Sequence, residues 1–188
     1  MNQALSFSAV LLAGGRSSRM GRDKALLPVG ESVLWQRQWD LLAAVGVTDR
    51  WLSVRAEQTW VPSGVAVVHD NVPGAGPLAG IAAALENMHG THLLVLAVDL
   101  PRMEPAWFER QMSLCAPGVG AVGRRGGFYE PLAAIYPREL HSQAEAALAR
   151  GEHTLQRFIA ASGGAMQAVE IGAAEAAWFA NWNERGDG

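Results

Sequence analysis

The sequence predicts a doubly wound, Rossmann-like α/β fold of three layers, in which helices cover both faces of a mostly parallel sheet. Two observations predict it. Apolar runs of strand length alternate along the chain with stretches whose apolar residues repeat every 3.6 positions. The run Leu93–Val98 is apolar throughout and has no side suited to water, which is typical of a parallel strand covered by helices on both faces.

Length and composition limit the classes of function. With 188 residues, 49% of them apolar and 18% charged, we expect one folded domain over residues 1–188. The net charge of −3 argues against a nucleic-acid partner, which would need a basic face. The single cysteine, Cys115, can form no internal disulfide and is predicted to be a small core residue. The apolar run Phe7–Ala13 is too short to span a bilayer, so we expect a cytoplasmic protein without a membrane partner.

The first half of the chain alternates strands with helices. The predicted strands are Ala9–Ala13, Trp51–Arg55, Val65–His69 and Leu93–Val98. Ser32 is predicted to cap a helix that Gly46 ends, because apolar residues at helical spacing lie between them. Pro77 suits the first turn of a second helix, Leu78–Met88, which Gly90 closes.

The second half continues the alternation but includes a predicted hairpin. Its elements are a helix from Pro105 to about Cys115, a strand Val119–Gly123, a turn Arg124–Gly127, a strand Phe128–Tyr136, a helix from Pro137 to Gly151, a helix His153–Ser162 and a strand Met166–Ile171. The two strands that flank the turn are predicted to pair with each other.

The loop after the first strand is rich in basic residues. It reads LLAGGRSSRMGRDKALL, where Gly14 and Gly15 precede four of the chain's fifteen basic residues. One of the four, Lys24, is the only lysine of the chain. Glycines let backbone amides approach an anion closely and cations neutralise it, so the segment predicts a polyphosphate cradle. A solvated surface loop is the alternative.

Two further strands are followed by a carboxylate. Asp70 leads into the loop NVPGAGPLAGI, whose glycines would let backbone groups contact a base or a ribose; an ordinary turn residue is the alternative. Asp99 follows the strand LLVLAV and precedes Pro101. Ligands of open parallel sheets bind beyond the carboxyl ends of the strands, so Asp99 is the best candidate for a Mg²⁺ ligand on a nucleotide. A capping role is the alternative.

Residue spacing excludes several other motifs. Five residues separate Gly15 from Gly21 and Lys24 does not directly follow, so the segment is not a P-loop. The dinucleotide fingerprint fails because positions 16 and 19 are arginines. The five histidines are scattered without the spacing of a zinc site, and Cys115 lacks the surroundings of a nucleophile.

Polar residues late in the chain could line the pocket of a second substrate. These residues are Glu130, Arg124, Arg125, Asn181 and Asn183. For the two arginines, a turn or cap role is favoured.

Together the motifs resemble the nucleotidyltransferases of the glycosyltransferase-A-like fold, most closely the molybdenum cofactor guanylyltransferase (MobA) family. The segments that carry the resemblance are LAGGRSSRMGRDKALL, GPLAGI, DLP, EPLAAIY and NWN. They extend over most of the chain, and the first three in this order are highly specific.

The resemblance implies an enzyme that uses GTP and Mg²⁺ to attach GMP to the terminal phosphate of molybdopterin, releasing pyrophosphate. It also implies cofactor-delivery proteins as partners. The implied nucleotide-binding residues are Leu12, Ala13, Gly14, Gly15, Lys24, Asp70, Gly76, Pro77, Leu78 and Asp99. The implied catalytic residues are Lys24, Arg19 and Asp99, with Asp99 as the metal ligand. Asn181 and Asn183 are implied on the pterin side, where Glu130 is also predicted.

One departure from the family pattern and several alternatives remain. Ser53 or Arg55 stands where some relatives carry an asparagine that contacts the nucleoside. The alternatives are a cytidylyltransferase for the same pterin, a guanylyltransferase for another phosphorylated acceptor, and a non-catalytic nucleotide- or cofactor-binding module. The sequence LAGG, where cytidylyl relatives tend to read LAAG, favours guanine, and the presence of Lys24 and Asp99 favours catalysis.

Overall fold

The computed structural model describes residues 4–15, 23–69, 72 and 74–182 of the chain. The strands are β1 (Phe7–Leu12), β2 (Pro28–Val29), β3 (Ser32–Val33), β4 (Asp49–Val54), β5 (Ala66–His69), β6 (His92–Ala97), β7 (Gly120–Arg125), β8 (Phe128–Pro137) and β9 (Met166–Glu170). The helices are α1 (Leu34–Ala44), α2 (Pro77–Asn87), α3 (Pro105–Leu114), α4 (His141–Ala149) and α5 (Leu155–Ala160). Short 3₁₀ turns lie at Lys24–Leu26, Arg138–Leu140 and Ala176–Phe179.

Seven strands form one twisted sheet in the order β5-β4-β1-β6-β8-β7-β9, and β2 pairs with β3 in a small separate ribbon. All the strands of the large sheet except β8 run in the same direction, because β8 is antiparallel to both of its neighbours. The mostly parallel sheet is confirmed. The predicted hairpin is confirmed as well, since β7 and β8 pair antiparallel.

Alternate residues of the central strands enter two cores, one on each face of the sheet. Ala9 and Leu11 of β1 pack with residues of α1 and α3 in the first core. Val10, on the other face, packs with residues of α2, α4 and α5 in the second core. Strand β6 is buried along its whole length. The three-layer arrangement is therefore confirmed, and it explains why the apolar run Leu93–Val98 carries no polar residue.

The helices are short. The longest in the described residues, α1 and α2, have 11 residues each. At 1.5 Å per residue such a helix is about 16 Å long, roughly half of a bilayer's hydrocarbon thickness. None of the helices in the described part of the chain is long and apolar enough to cross a membrane.

The predicted cap of the first helix is wrong. Ser32 lies in strand β3, and the residue that precedes α1 is Val33, in an extended conformation. The Ser32 hydroxyl donates to Gln36 Oε1 at 3.3 Å, and the amide of Leu34 donates to the carbonyl of Leu27 at 3.0 Å. A backbone acceptor just before β2 thus replaces the side-chain cap at the first turn.

Two predicted boundaries around the hairpin are also wrong. Pro137 does not begin a helix: it is the last residue of β8, and α4 starts at His141 after a 3₁₀ turn. The backbone of Pro137 is extended, and the following amide of Arg138 donates to the carbonyl of Thr91 at 2.9 Å, which prolongs the ladder with β6. The residues Arg124 and Arg125 belong to β7, so only Gly126 and Gly127 make the turn.

The carboxylate of Asp49 ties β4 to the segment before β6. It accepts hydrogen bonds from the Ser8 hydroxyl, from the His89 amide at 3.0 Å and from His89 Nδ1 at 3.2 Å. Burial alone would raise the pKa of Asp49, but these hydrogen bonds outweigh it, so the pKa lies below its ordinary value of 3.8.

We expect Asp49→Asn to lower the free energy of unfolding at pH 7 by on the order of 1 kcal/mol, because the amide cannot accept all three hydrogen bonds. A carboxylate with a depressed folded-state pKa stabilises the protein fully above the unfolded-state pKa, and this contribution disappears as the pH falls through the folded-state pKa. Urea titrations at pH 7 and at successive pH values below 3.8 measure this. If the difference in unfolding free energy between the parent protein and Asp49→Asn grew as the pH fell, the assignment would be contradicted.

Candidate active site

The carboxyl ends of β1, β4 and β6 lie side by side at one edge of the sheet, because these strands are parallel neighbours. The chain continues the ladder just past β1, where the Ala13 amide donates to the Ser53 carbonyl at 2.9 Å. On the other side, the Val98 amide donates to the Leu12 carbonyl at 3.1 Å. Gly14 and Gly15, called the glycine loop below, therefore emerge directly between the segments that follow β4 and β6.

The guanidinium of Arg55 holds the glycine loop. Its Nη1 donates to the carbonyl of Gly14 at 2.8 Å and to the carbonyl of Gly15 at 2.5 Å. Ser53 is only 4% exposed and lies within the strand. Of the two residues considered for a nucleoside contact, Arg55 therefore supports the loop backbone, and Ser53 is packed away from solvent.

Lys24 begins the 3₁₀ turn that follows the glycine loop. The preceding residue, Asp23, caps this turn by accepting from the Ala25 amide at 3.1 Å. The other oxygen of Asp23 accepts from Gln58 Nε2 and from Trp60 Nε1, the latter at 2.7 Å. The turn that carries Lys24 is thereby attached to the loop after β4.

Asp99 meets Lys24 across the sheet edge. The distance from Lys24 Nζ to Asp99 Oδ2 is 3.3 Å, and the two side chains are 30% and 31% exposed. Residues 75 positions apart in the sequence thus place an ammonium and a carboxylate in contact at the surface of the crevice. Both groups remain accessible to a ligand.

Helix α1 fixes the turn that follows Asp99. Gln38, which is fully buried, donates from Nε2 to the carbonyl of Leu100, and Arg37 Nε donates to the carbonyl of Pro101 at 2.7 Å. From the other end of the chain, the amide of Trp182 donates to the carbonyl of Asp99 at 3.0 Å. The turn is therefore held from two directions while the Asp99 carboxylate stays available.

Helix α2 begins at the same edge, because it connects two parallel strands, β5 and β6. Gly76 precedes it with a φ of +65°, a conformation that favours glycine, and Pro77 occupies the first turn. Gly76 and Pro77 are exposed, whereas the Leu78 side chain is buried in the second core. A nucleotide could therefore contact Leu78 only through its backbone.

Gly80 allows α2 to approach the sheet closely. A Cβ at this position would lie 2.5 Å from Ser53 Oγ and 3.1 Å from Leu12 Cδ2. We expect Gly80→Ala to lower the free energy of unfolding by about 1–2 kcal/mol, since overpacking outweighs the gain in helix propensity. Denaturant titration measures this. Combination with Ser53→Ala removes the closest contact and is expected to recover part of the loss; equal losses in both backgrounds would contradict the packing explanation.

The residues predicted to line the pocket of a second substrate differ in position and exposure. Asn181 is exposed and directly precedes Trp182, whose amide contacts the Asp99 turn. Glu130 lies in β8 opposite Gly123 of β7, beyond the last pair of the β6–β8 ladder, Leu96 with Ala133. Burial raises the pKa of Glu130, against the opposing effect of Arg125, whose Nη2 is 4.0 Å from Glu130 Oε1. The remaining predicted residues Arg19, Asp70 and Asn183 lie outside the described residues.

Cys115 and His92, whose sequence context argued against a nucleophile and a zinc site, have structural roles instead. Burial raises the pKa of the Cys115 thiol to about 12, so it is protonated at neutral pH. Cys115 is half-buried and packs against the first core, a less enclosed position than predicted. The buried ring of His92 directs Nε2 to the carbonyls of Ala116 and Val119 at 3.1 and 3.0 Å.

Comparison with known proteins places this arrangement in a family. The family model described as the MobA-like NTP transferase domain matches residues 9–168, which include most of β1, the Lys24 turn, α2 and Asp99. The chain belongs to the MobA-like NTP transferase family. A protein of Opitutus terrae named probable molybdenum cofactor guanylyltransferase is 42% identical over 98% of this chain and 94% of its own length.

Solved structures agree with the fold of this MobA-like chain. The structure named molybdopterin-guanine dinucleotide biosynthesis protein A, from Archaeoglobus fulgidus, superposes with a TM-score of 0.75 at 20% identity, covering 94% of this chain and 92% of that chain. A Mycobacterium tuberculosis protein crystallised with manganese superposes with a TM-score of 0.66 at 19% identity, covering 90% and 89%. At these identities the likeness shows the nucleotidyltransferase fold.

The metal-ligating groups of this MobA-like site suit a divalent cation that is held partly by the phosphates of a substrate. No group of three or more His, Cys, Asp or Glu side chains able to hold a metal occurs among residues 4–15, 23–69, 72 and 74–182. Asp99, however, presents an accessible carboxylate at the sheet edge, 3.3 Å from a cation, Lys24 Nζ. Mg²⁺ is commonly held by one or two carboxylates together with substrate phosphates, so a single carboxylate fits the ion.

The residues that support the site were not predictable from motifs in the sequence. Asp23, Gln58 and Trp60 hold the Lys24 turn, and Arg37 and Gln38 hold the Asp99 turn. A local signal existed for Asp23 alone, because an aspartate directly before a short helical turn is a typical N-cap. The other partners are remote in sequence and carry no pattern of their own.

Proposed function

We propose that this chain transfers GMP from GTP to the terminal phosphate of molybdopterin, forming the guanine dinucleotide form of the cofactor and pyrophosphate. The observation that carries the proposal is the contact between Lys24 and Asp99 beside the glycine loop, in a chain 42% identical to a protein named probable molybdenum cofactor guanylyltransferase. We propose further that residues 1–188 act as one domain in the cytoplasm, with cofactor-delivery proteins as partners.

The proposed reaction needs no general base from the protein. The nucleophile is an oxygen of a phosphate monoester, which is largely ionised at neutral pH because its second pKa is about 6. The proposed transfer therefore requires neither a histidine nor a Ser-His pair. What the protein must supply is alignment of two anions that repel each other, and compensation of the charge that grows on the departing pyrophosphate.

The nucleotide is proposed to lie against the backbone of Leu12, Ala13, Gly14 and Gly15, with its phosphates towards Lys24. The Lys24 ammonium would stabilise the charge of the pyrophosphate, assisted by Arg19. The exposed start of α2, at Gly76 and Pro77, lies at the same edge of the sheet, and the positive end of a helix favours anions. Pro77 has no backbone N–H, so the donors proposed here are the amides of Gly76 and Leu78. Asp70 and the Leu78 backbone complete the proposed nucleotide contacts.

Asp99 is the residue proposed to hold Mg²⁺. When bound, the ion would neutralise phosphate charge and fix the orientation of the triphosphate. The Lys24 ammonium, 3.3 Å from Asp99 Oδ2, would contact the phosphates beside the same carboxylate. The acceptor is proposed on the side of Asn181, Asn183 and Glu130.

Pyrophosphate release tests the function directly. The purified chain is incubated with Mg²⁺, molybdopterin and either GTP or CTP, and the pterin product is examined by mass spectrometry. We expect pyrophosphate and a product heavier by one guanylyl group (GMP less one water) with GTP, and turnover with CTP at least an order of magnitude slower. A preference for CTP would show a cytidylyltransferase. Nucleotide binding without any pyrophosphate would show a non-catalytic module.

A further inference from the structure

Gln58, in the loop after β4, joins three separate segments of the site. Its Nε2 donates to the carbonyl of Ala13 at 3.0 Å and also to Asp23 Oδ2. Its Oε1 accepts from the amide of Arg55 at 2.7 Å. One half-buried side chain therefore connects the end of β1, the turn that carries Lys24 and its own loop.

The hydrogen bonds determine the orientation of the Gln58 amide. Ala13 O and the Asp23 carboxylate can only accept, so they must face the NH₂ group. The Arg55 amide can only donate, so it must face Oε1. A rotation of the amide by 180° would break all three interactions at once, which makes this arrangement the single satisfied one.

The Asp23 carboxylate is held on both of its oxygens. Oδ1 accepts from the Ala25 amide at 3.1 Å, and Oδ2 accepts from Gln58 and from Trp60 Nε1. The Trp60 ring lies 5.9 Å from the ring of Trp35 and packs against the first core. Through Trp60 the Asp23 carboxylate is anchored to the first core. Lys24 is the next residue in the chain.

We propose that Gln58 is a positioning residue for Lys24. Acting through Asp23, it fixes the distance between the backbone of the glycine loop and the Lys24 ammonium. This inference rests on the proposed function of Lys24 as a phosphate-binding group. A charge accelerates a reaction only when it is placed in advance, and a displacement near 1 Å can cost on the order of 10²-fold in rate.

The only lysine of the chain makes the proposal testable without any substrate. Lysine labelled with ¹³C at Cε gives one side-chain signal in an NMR spectrum, and that signal belongs to Lys24. In the parent protein we expect the two ε protons attached to this carbon to have two distinct ¹H chemical shifts, because the side chain is held against Asp99. Gln58→Ala is expected to merge them into one averaged shift.

Gln143 provides the matched control. It is also a glutamine whose Nε2 donates to a backbone carbonyl, that of Ala161 at 3.0 Å, but it lies on α4. Gln143→Ala is expected to leave the Lys24 signal unchanged. A Lys24 signal that is the same in Gln58→Ala and in the parent protein would overturn the proposal.

A double-mutant cycle separates positioning from a general structural role. Gln58→Ala is expected to lower kcat on the order of 10-fold with a smaller change in KM for GTP. In a Lys24→Ala background the same substitution is expected to have almost no further effect, because the group that it positions is gone. An equal loss in both backgrounds would overturn the proposal. If the parent protein releases no pyrophosphate, the proposed function fails, while the NMR comparison still decides the role of Gln58.

Discussion

Lys24→Ala is expected to lower kcat by on the order of 10²-fold or more, the usual effect of removing one preorganised donor from a charged transition state. The physical reason is specific to this chain. Lys24 is its only lysine, and its ammonium lies at the sheet edge beside the glycine loop, where growing negative charge would be compensated. Steady-state pyrophosphate release at saturating GTP measures the effect.

The fold should survive this substitution. Lys24 and Asp99 are 30% and 31% exposed, and an ion pair of this kind contributes less than about 1 kcal/mol to stability. We therefore expect the unfolding midpoint of Lys24→Ala to stay near that of the parent protein. Arg157→Ala, at an exposed position on α5, is the control for losing one positive charge elsewhere. Nearly full activity of Lys24→Ala with unchanged affinity for GTP would refute the proposed role.

Asp99→Asn is expected to lower turnover by on the order of 10²-fold at moderate Mg²⁺, with partial recovery as the Mg²⁺ concentration is raised. The amide keeps the shape of the side chain but removes the negative charge, which weakens both the attraction for a cation and the contact with Lys24. Activity measured against Mg²⁺ concentration tests this. The expected result is a shift of the activation curve to higher Mg²⁺.

The control is a carboxylate of the same type outside the site. Asp40 is exposed on α1, so Asp40→Asn removes one charge without touching the crevice and is expected to keep the parent curve. The turn of Asp99 is held by backbone acceptors at Leu100 and Pro101, which the substitution leaves intact. An unchanged activation curve for Asp99→Asn would remove Asp99 from the proposed cation site.

Much of the fold could be predicted from the sequence because its signals are local. The apolar run Leu93–Val98 needs cover on both faces, and the structure buries β6 accordingly. The prediction failed where a remote backbone group decided the outcome. Ser32 offered a reasonable cap, yet the Leu27 carbonyl satisfies the first turn of α1. Pro137 suited the start of a helix, yet pairing opposite His92 keeps it in the sheet.

The sequence by itself determined the residue types of the site: a glycine pair, a lone lysine and an aspartate at the end of a buried strand. Their chemistry follows from composition and spacing, which need no knowledge of neighbours. Only the tertiary structure decided that Lys24 and Asp99 meet, although 75 positions separate them, and that Gln58 braces the lysine turn. Strand order brings such groups together, and it is set by the burial of helix faces against the sheet, a property of the whole chain that no local pattern contains.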